Sequence, residues 1–290
     1  MANTELAGIA PINKIINTVL HTCLLDVKYP PVSILLVAPS GGGKSLSLMR
    51  WRAPFIHHTN DITSGGLMDL LAQDHDNKIR SIILPDFNVP LSHKSSVTNL
   101  TMSNLLSMMS EGTARIDDGR KSKEIKHRPI SICSAVTPDM YVSHHRKWRI
   151  LGIIRRFLII QFNYSVTTER KGNELIRDDK LTGASLPEIN IQTKIKDASP
   201  IIAEKEALEI ESLAITFSSQ LGCKVVRDYK SGKVHWQRTN SMLSFSPHVT
   251  LKTLARANAV SEDRAKVNKA DIDFLTMLLE FTDSSKPGII

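Results

Sequence analysis

The chain has 290 residues, 41% apolar and 23% charged, the balance of a globular protein that can bury a full core in one large domain or two unequal ones. Its formal net charge of +8 suggests a polyanionic partner, although a nucleotide binder that is merely basic, or one that meets an acidic protein, would carry the same charge. No apolar run approaches the ~20 residues a membrane-spanning helix needs, MANTELAGIA has no secretion-signal pattern, and the scattered Cys23, Cys133 and Cys223 form no CxxC, so a cytoplasmic protein with buried, reduced thiols and no membrane contact is expected.

Leu6, Ile9, Ile12, Ile15, Ile16, Val19 and Leu20 recur at helical spacing, which predicts a helix over 5–25 before Pro30-Pro31. Val32–Val37 is a short, nearly continuous apolar run, the pattern of a strand covered on both faces. Glycines follow at once, and Lys44-Ser-Leu-Ser-Leu-Met opens a helix. Similar short runs recur at Phe55-Ile56, Ser81–Leu84, Pro129–Val136 and Phe157–Phe162, with helical stretches at 65–74, 98–111 and 139–151. Strands alternating with helices predict an α/β, doubly wound parallel sheet. The polar stretch 166–200 reads as a linker or long surface loop. Beyond it come a helix over 201–220, a hairpin from Lys224 to Arg238, and helices over 246–260 and 269–282. The expected division is a core over 1–165, a linker over 166–200 and a smaller, mainly helical part over 201–290.

The segment Ala38-Pro39-Ser40-Gly41-Gly42-Gly43-Lys44-Ser45 fits the glycine-rich phosphate loop G-x-x-x-x-G-K-[ST], with alanine in the first slot. Strand, glycine loop and helix start are the context that loop requires. The glycines let backbone N–H groups turn toward phosphate oxygens, and the helix start adds its positive dipole end. Residues Pro39 to Leu46 would cradle the phosphates of ATP or a similar nucleotide. Lys44 would reach the β- and γ-phosphates, and Ser45 would ligate Mg²⁺. A carboxylate at the end of a neighbouring strand completes such a cation site, and Asp86 supplies one after Ser81–Pro85. Phe87 follows, where many such enzymes carry the glutamate that polarises the attacking water. Glu111, at the end of the next helical stretch, is the substitute on offer; as an exposed carboxylate beside a helix-ending glycine it needs no such role.

In this order of segments the chain resembles the AAA+ family of P-loop ATPases, over roughly 30–162 and again over 240–282. The resemblance implies a helical lid at the C-terminus and a polar residue, sensor 1, after the strand following Asp86; Thr137 takes that place. It also implies an arginine that reaches a neighbouring subunit's site, which Gly152-Ile-Ile-Arg155-Arg156-Phe157 matches at Arg156, with Arg155 as fallback. Such an arginine stabilises charge on the transferring phosphoryl group and requires self-assembly, as a ring or filament that is hexamer-like in the family. Ser246–Ala259 resembles the helix of a second sensor, with His248 where an arginine is expected and Arg238 or Lys252 as substitutes, and Val267-Asn-Lys-Ala-Asp271 resembles the start of the last lid helix. A looser likeness is to phage- and plasmid-type helicase ATPases.

Asp117-Asp118-Gly119 predicts a tight hairpin turn that gathers Arg120, Lys121, Lys123 and Lys126. In ring ATPases that bind DNA, a hairpin at this point projects into the pore, where lysine and arginine meet phosphates with little sequence selectivity. Trp148, in a second basic stretch, could stack on a base or be buried. The expectation is an ATP-dependent motor, loader or remodeller acting on DNA. The alternatives are a weakly hydrolysing nucleotide switch and an ATPase that remodels or assembles a protein partner.

Overall fold

The apolar runs become strands of one sheet, in a computed structural model that describes residues 7–117, 122–178, 187–192, 197–221, 223–227, 234–238, 245–282 and 287–290. The chain enters through α1 (Ala10–His21) and β1 (Ser33–Val37), then α2 (Lys44–Met49), β2 (Trp51–Arg52), β3 (Ile56–His58) and α3 (Ser64–Gln73). It continues through β4 (Ser81–Leu84), α4 (Asn88–Leu91), α5 (Ser95–Ser110), a pair β5 (Thr113–Asp117) and β6 (Ser122–Lys126), β7 (Ser131–Val136), α6 (Pro138–Ile150) and β8 (Phe157–Asn163). The remainder is α7 (Val166–Arg177), β9 (Ile189–Asn190), α8 (Glu204–Leu221), β10 (Cys223–Arg227), β11 (Val234–Arg238), α9 (Phe245–Ser261), α10 (Lys269–Glu280) and β12 (Gly288–Ile289).

The sheet has six strands in the order β12-β8-β1-β7-β4-β3, and every neighbouring pair is parallel. Every residue of β1, β4 and β7 is buried, because both faces are covered. Leu35, Val37, Ile82, Leu84, Ile132, Val136 and Ile159 face α3, α5 and α6. Ile34, Leu36, Ile83, Cys133, Ala135, Leu158 and Ile160 face α1, α8, α9 and α10. The period-2 alternation of β-strands therefore serves two cores at once. On the second face Ile12, Ile15, Ile16, Val19 and Leu20 of α1 are fully buried. At roughly 1.5–3 kcal/mol per side chain, that stripe stabilises α1 on the sheet by on the order of 10 kcal/mol before entropy is counted.

Two expectations need correction. The first helix begins at Ala10 rather than near residue 5, because Gly8 sits at φ +74° and Pro11 occupies the first turn, a position proline favours. The stretch 166–200, expected as loop, holds the twelve-residue α7, whose N-terminus is capped by Ser165 accepting from Thr168 N, and β9, which pairs with β2 at Trp51↔Ile189. Polar helix formers and a cap suffice for α7, which buries no residue. The C-terminal helices and the β10–β11 hairpin form where expected. α8, α9 and α10 share one apolar cluster with α1 and the sheet, and β12 extends the sheet beside β8. Cys23 and Cys133 are buried free thiols, pushed by burial up to about 12 and about 11. Among the described residues no helix is long and apolar enough to cross a membrane.

Candidate functional site

The carboxyl ends of β1, β7 and β4 lie side by side, with Leu36↔Ala135 and Leu84↔Ser134 in register. Connections leave this edge in opposite directions, from β1 toward β3 and from β7 past β1 to β8, which in open α/β sheets marks the ligand crevice. The loop Ala38–Gly43 bridges β1 to α2. Gly41 at φ +77° and Gly43 at φ +68° adopt the left-handed conformation that glycine accepts without strain. At Gly42 a Cβ would sit 3.0 Å from the Pro39 carbonyl oxygen. The Lys44 ammonium folds across this loop and donates to the carbonyls of Ala38 (2.6 Å) and Pro39 (2.7 Å). Burial lowers its pKa, against the opposing charge of Asp86. α2 has only six residues, so its dipole adds less than the sequence suggests, and the loop's own N–H groups matter more.

Ser45 Oγ donates to the Pro85 carbonyl at 3.3 Å, which ties the start of α2 to the residue before Asp86. The Asp86 carboxylate is exposed and accepts from Asn88 N at 2.9 Å. Phe87 N donates to Ala135 O at 2.9 Å, and its ring is buried edge-on to Trp148 (5.6 Å) and Phe157 (5.5 Å). Position 87 therefore points into the core. Thr137 follows β7, between the strand ends that carry Ala38 and Asp86. It is the N-cap residue of α6, yet its side chain makes no capping hydrogen bond. Lys44, Ser45, Asp86 and Thr137 are thus brought to one edge, with Pro39 to Leu46 running beneath it.

Glu111, Arg155 and Arg156 lie at the other edge. Phe157 is in register with Ser33, the first residue of β1, whereas the glycine loop follows Val37. Four strand residues, about 13 Å, separate the two levels. Arg156 Nε donates to Ser110 Oγ at 3.0 Å, and its Nη1 to Gly152 O at 3.4 Å. Burial and then the Arg155 charge lower its pKa, against Glu111. Gly152, at φ +76°, lets both arginines fold back; a Cβ there would lie 2.9 Å from each. Glu111 is exposed, accepts from Ser107 Oγ at 3.4 Å, and borders a cavity with Arg155 and Arg156. Within one chain it is placed with the arginines, away from Lys44. The start of α9, which resembles a second-sensor helix but reads equally as an ordinary packing helix, also borders a cavity with Arg155, Arg156 and Ser33.

The expected hairpin forms as β5–β6, with Asp117↔Ser122 closing its register. Arg120 and Lys121, in its turn, lie outside the described residues, as does the side chain of Lys123. Lys126 is exposed, with Nζ 3.7 Å from Glu124. Two contacts tie down the base: His127 N donates to Gly112 O at 2.7 Å, and the buried imidazole of His127 meets Asp74 at 3.1 Å. Trp148, a candidate for base stacking, is buried under α6 with 1% exposure.

One part of the site escaped the sequence reading. A cavity of about 370 Å³ beside the loop is lined by Ser40, Gly42, Tyr164, Thr168, Gly172 and Asn173. Tyr164 OH donates to Gly42 O at 3.0 Å, and burial raises its pKa. Thus α7, read as linker, forms a wall of the cavity beside the glycine loop. The signal was Ser165 before a run of helix formers. Among the described residues no three His, Cys, Asp or Glu side chains gather as a metal site. Ser45 and Asp86 alone suit a Mg²⁺ that keeps most of its shell as water and phosphate oxygens. No protein-family model matches this chain, and no curated protein matches it.

Proposed function

We propose that the chain is a P-loop ATPase of AAA+ type, holding ATP phosphates on Pro39–Leu46. The observation that carries this reading is the Ser45–Pro85 hydrogen bond, which sets the loop's hydroxyl one residue from the Asp86 carboxylate. Lys44, now held by two loop carbonyls, would exchange them for phosphate oxygens, which also favour its charged form. Thr137, with no capping bond, would offer its hydroxyl to the terminal phosphate. When bound, Mg²⁺ would neutralise charge between the phosphates, and Ser45 and Asp86 are the groups that would hold it. Tyr164 and α7 would bound the remainder of the nucleotide. Arg156, with Arg155 as fallback, would serve a neighbouring copy in a ring or filament of hexamer-like type. The β5–β6 hairpin with Arg120, Lys121, Lys123 and Lys126 would meet DNA phosphates, making the assembly a motor, loader or remodeller. Residues 201–290, whose helices α8, α9 and α10 cover one face of the sheet, would belong to the core rather than act as a separate lid.

The test is ATP hydrolysis by purified protein, with and without single- and double-stranded DNA, beside Lys44→Ala. Turnover that rises with DNA and vanishes in the variant is the expected result; neither ATP binding nor self-association would sink the proposal. A second reading is favoured by Phe87, which is buried where a water-polarising carboxylate would stand. Under it the protein is a nucleotide switch turning over at or below about 0.01 per second, against ~1–1000 per second for typical enzymes. Stimulation by a protein partner and not by DNA would move the assignment to a remodelling or assembly ATPase.

A further inference from the structure

A second basic pocket lies at the amino-terminal edge of the sheet, remote from the phosphate loop. Arg80 immediately precedes β4, whose other end leads to Asp86. Its backbone is fixed on both sides: its N–H donates to Phe55 O at 2.9 Å, and its carbonyl accepts from Ser131 N at 2.8 Å and the Cys23 thiol at 3.3 Å. Its side chain borders a cavity of about 430 Å³ that also touches Lys78, Arg128, Asp76, Asp197 and Cys23. That volume falls within the range of small-ligand sites.

Arg80 is 6% exposed, and its Nε is buried without a hydrogen-bond partner. Each carboxylate of the cavity is paired with another cation that lines it: Asp76 is 2.6 Å from the Lys78 ammonium, and Asp197 is 3.3 Å from Arg128, whose remaining N–H groups this pair leaves for a ligand. Asp197 acts on Arg80 as a more distant charge. Cys23 cannot supply an anion, because burial pushes its thiol up to about 12. Burial, the largest influence, and the Arg128 charge both lower the Arg80 pKa, but a guanidinium stays charged in proteins. A buried guanidinium with an unpartnered N–H is costly, and an anion in the adjoining cavity would offset that cost.

We propose that the Arg80–Arg128 pocket is a phosphoryl-anion site, using the guanidinium of Arg80 and, at its mouth, that of Arg128. Planar donor forks suit phosphate better than a point charge does. The phosphoryl group has two sources, a free phosphate or a nucleic-acid backbone. The second is close at hand, since Arg128 adjoins His127 at the base of the β5–β6 hairpin. The inference does not depend on the phosphate loop's function.

The experiment uses the full chain carrying Lys44→Ala, so that the loop contributes little, with and without Arg80→Gln. Inorganic phosphate is titrated at constant ionic strength against chloride, reading heat of binding and thermal midpoint. A labelled oligothymidylate is followed by anisotropy. Phosphate binding that Arg80→Gln weakens on the order of tenfold, the loss of one charge-assisted bond, is the expected result. Oligothymidylate binding that weakens in parallel and is displaced by phosphate assigns the site to the nucleic-acid backbone. Oligothymidylate binding indifferent to Arg80 assigns it to free phosphate. Phosphate and oligothymidylate binding that are both absent, or both indifferent to Arg80, would overturn the proposal. If Arg80→Gln does not fold, the exposed Arg128→Gln replaces it, with several-fold weakening expected and none overturning it.

Discussion

Lys44→Ala separates a phosphate loop from a glycine-rich turn that merely looks like one. The ammonium donates to Ala38 O at 2.6 Å and Pro39 O at 2.7 Å, on a loop where Pro39 is exposed. Removing it frees the carbonyl of exposed Pro39, which water can reach, and that of buried Ala38, so basal stability should fall by no more than about 1–3 kcal/mol. Binding is different. A hydrogen bond to a charged group is worth about 1.5–3 kcal/mol, so the variant should bind Mg·ATP roughly 10–150-fold more weakly. At a ligand concentration of about 100 times the wild-type Kd, ATP stabilises wild type by about 2.7 kcal/mol. For a chain of this size that raises the thermal midpoint by roughly 5 °C or more. In the variant the same concentration is about 0.7–10 times its Kd, leaving about 0.3–1.4 kcal/mol and a shift of ~1–3 °C. Thermal unfolding followed by dye binding, over a titration of Mg·ATP, reads both quantities. Equal ATP-dependent shifts in the two proteins would refute the reasoning, as would a basal loss of several kcal/mol.

Arg156→Ala should leave ATP binding intact and remove hydrolysis, and mixing it with Lys44→Ala subunits should restore turnover at interfaces that pair a sound loop with a sound arginine. No recovery on mixing counts against an arginine acting in trans. Asp271 is fully buried and accepts from Arg264 Nη1 and Nη2 (2.7 Å each), Asn258 Nδ2 (2.7 Å) and Asn268 N (2.8 Å). Asp271→Ala should therefore cost about 3–5 kcal/mol in urea unfolding, and a loss below ~1 kcal/mol would contradict this account of α10. Burial, then the Arg149 charge, lowers His145 to about 4. Its folded pKa lies below the unfolded value of about 6.5, so acidification protonates the unfolded chain first. The contribution, on the order of 2–3 kcal/mol, is complete above about pH 6.5 and lost as pH falls toward 4; His145→Gln should flatten urea midpoints across that window.

How much of this was legible in the sequence follows from which forces act locally. β1, β4, β7 and β8 were read as strands because burial on both faces leaves continuous apolar runs. The glycine turn between β1 and α2 was legible because glycine conformations and the helix start belong to neighbouring residues. α7 was missed because it buries nothing, and apolar periodicity cannot report a helix without an apolar contact. β2, β9 and β12 were missed because two-residue strands exist through distant partners, such as Trp51 with Ile189. Glu111 was offered for Lys44's neighbourhood because it ends the helix after Asp86. Sequence spacing does not say which edge that is: α5 has sixteen residues and, at about 1.5 Å per residue, carries the chain roughly 24 Å.

The separation of the two edges has a mechanistic consequence for the proposed ATPase. The edge with Lys44, Ser45, Asp86 and Thr137 has the proposed phosphate donors and cation ligands, but Phe87 contributes no carboxylate to it. The edge with Glu111, Arg155 and Arg156 has a carboxylate and two guanidinium groups, but no loop. Stacking one copy's first edge on the next copy's second would bring Arg156 and Glu111 to the same phosphates together. One interface would then supply both the charge that stabilises phosphoryl transfer and a group to orient water. An isolated chain would bind nucleotide and hydrolyse it slowly, so the switch and the motor would be two assembly states of one protein. On that reasoning turnover per chain should rise with protein concentration, and turnover that is independent of concentration would leave the two edges unrelated.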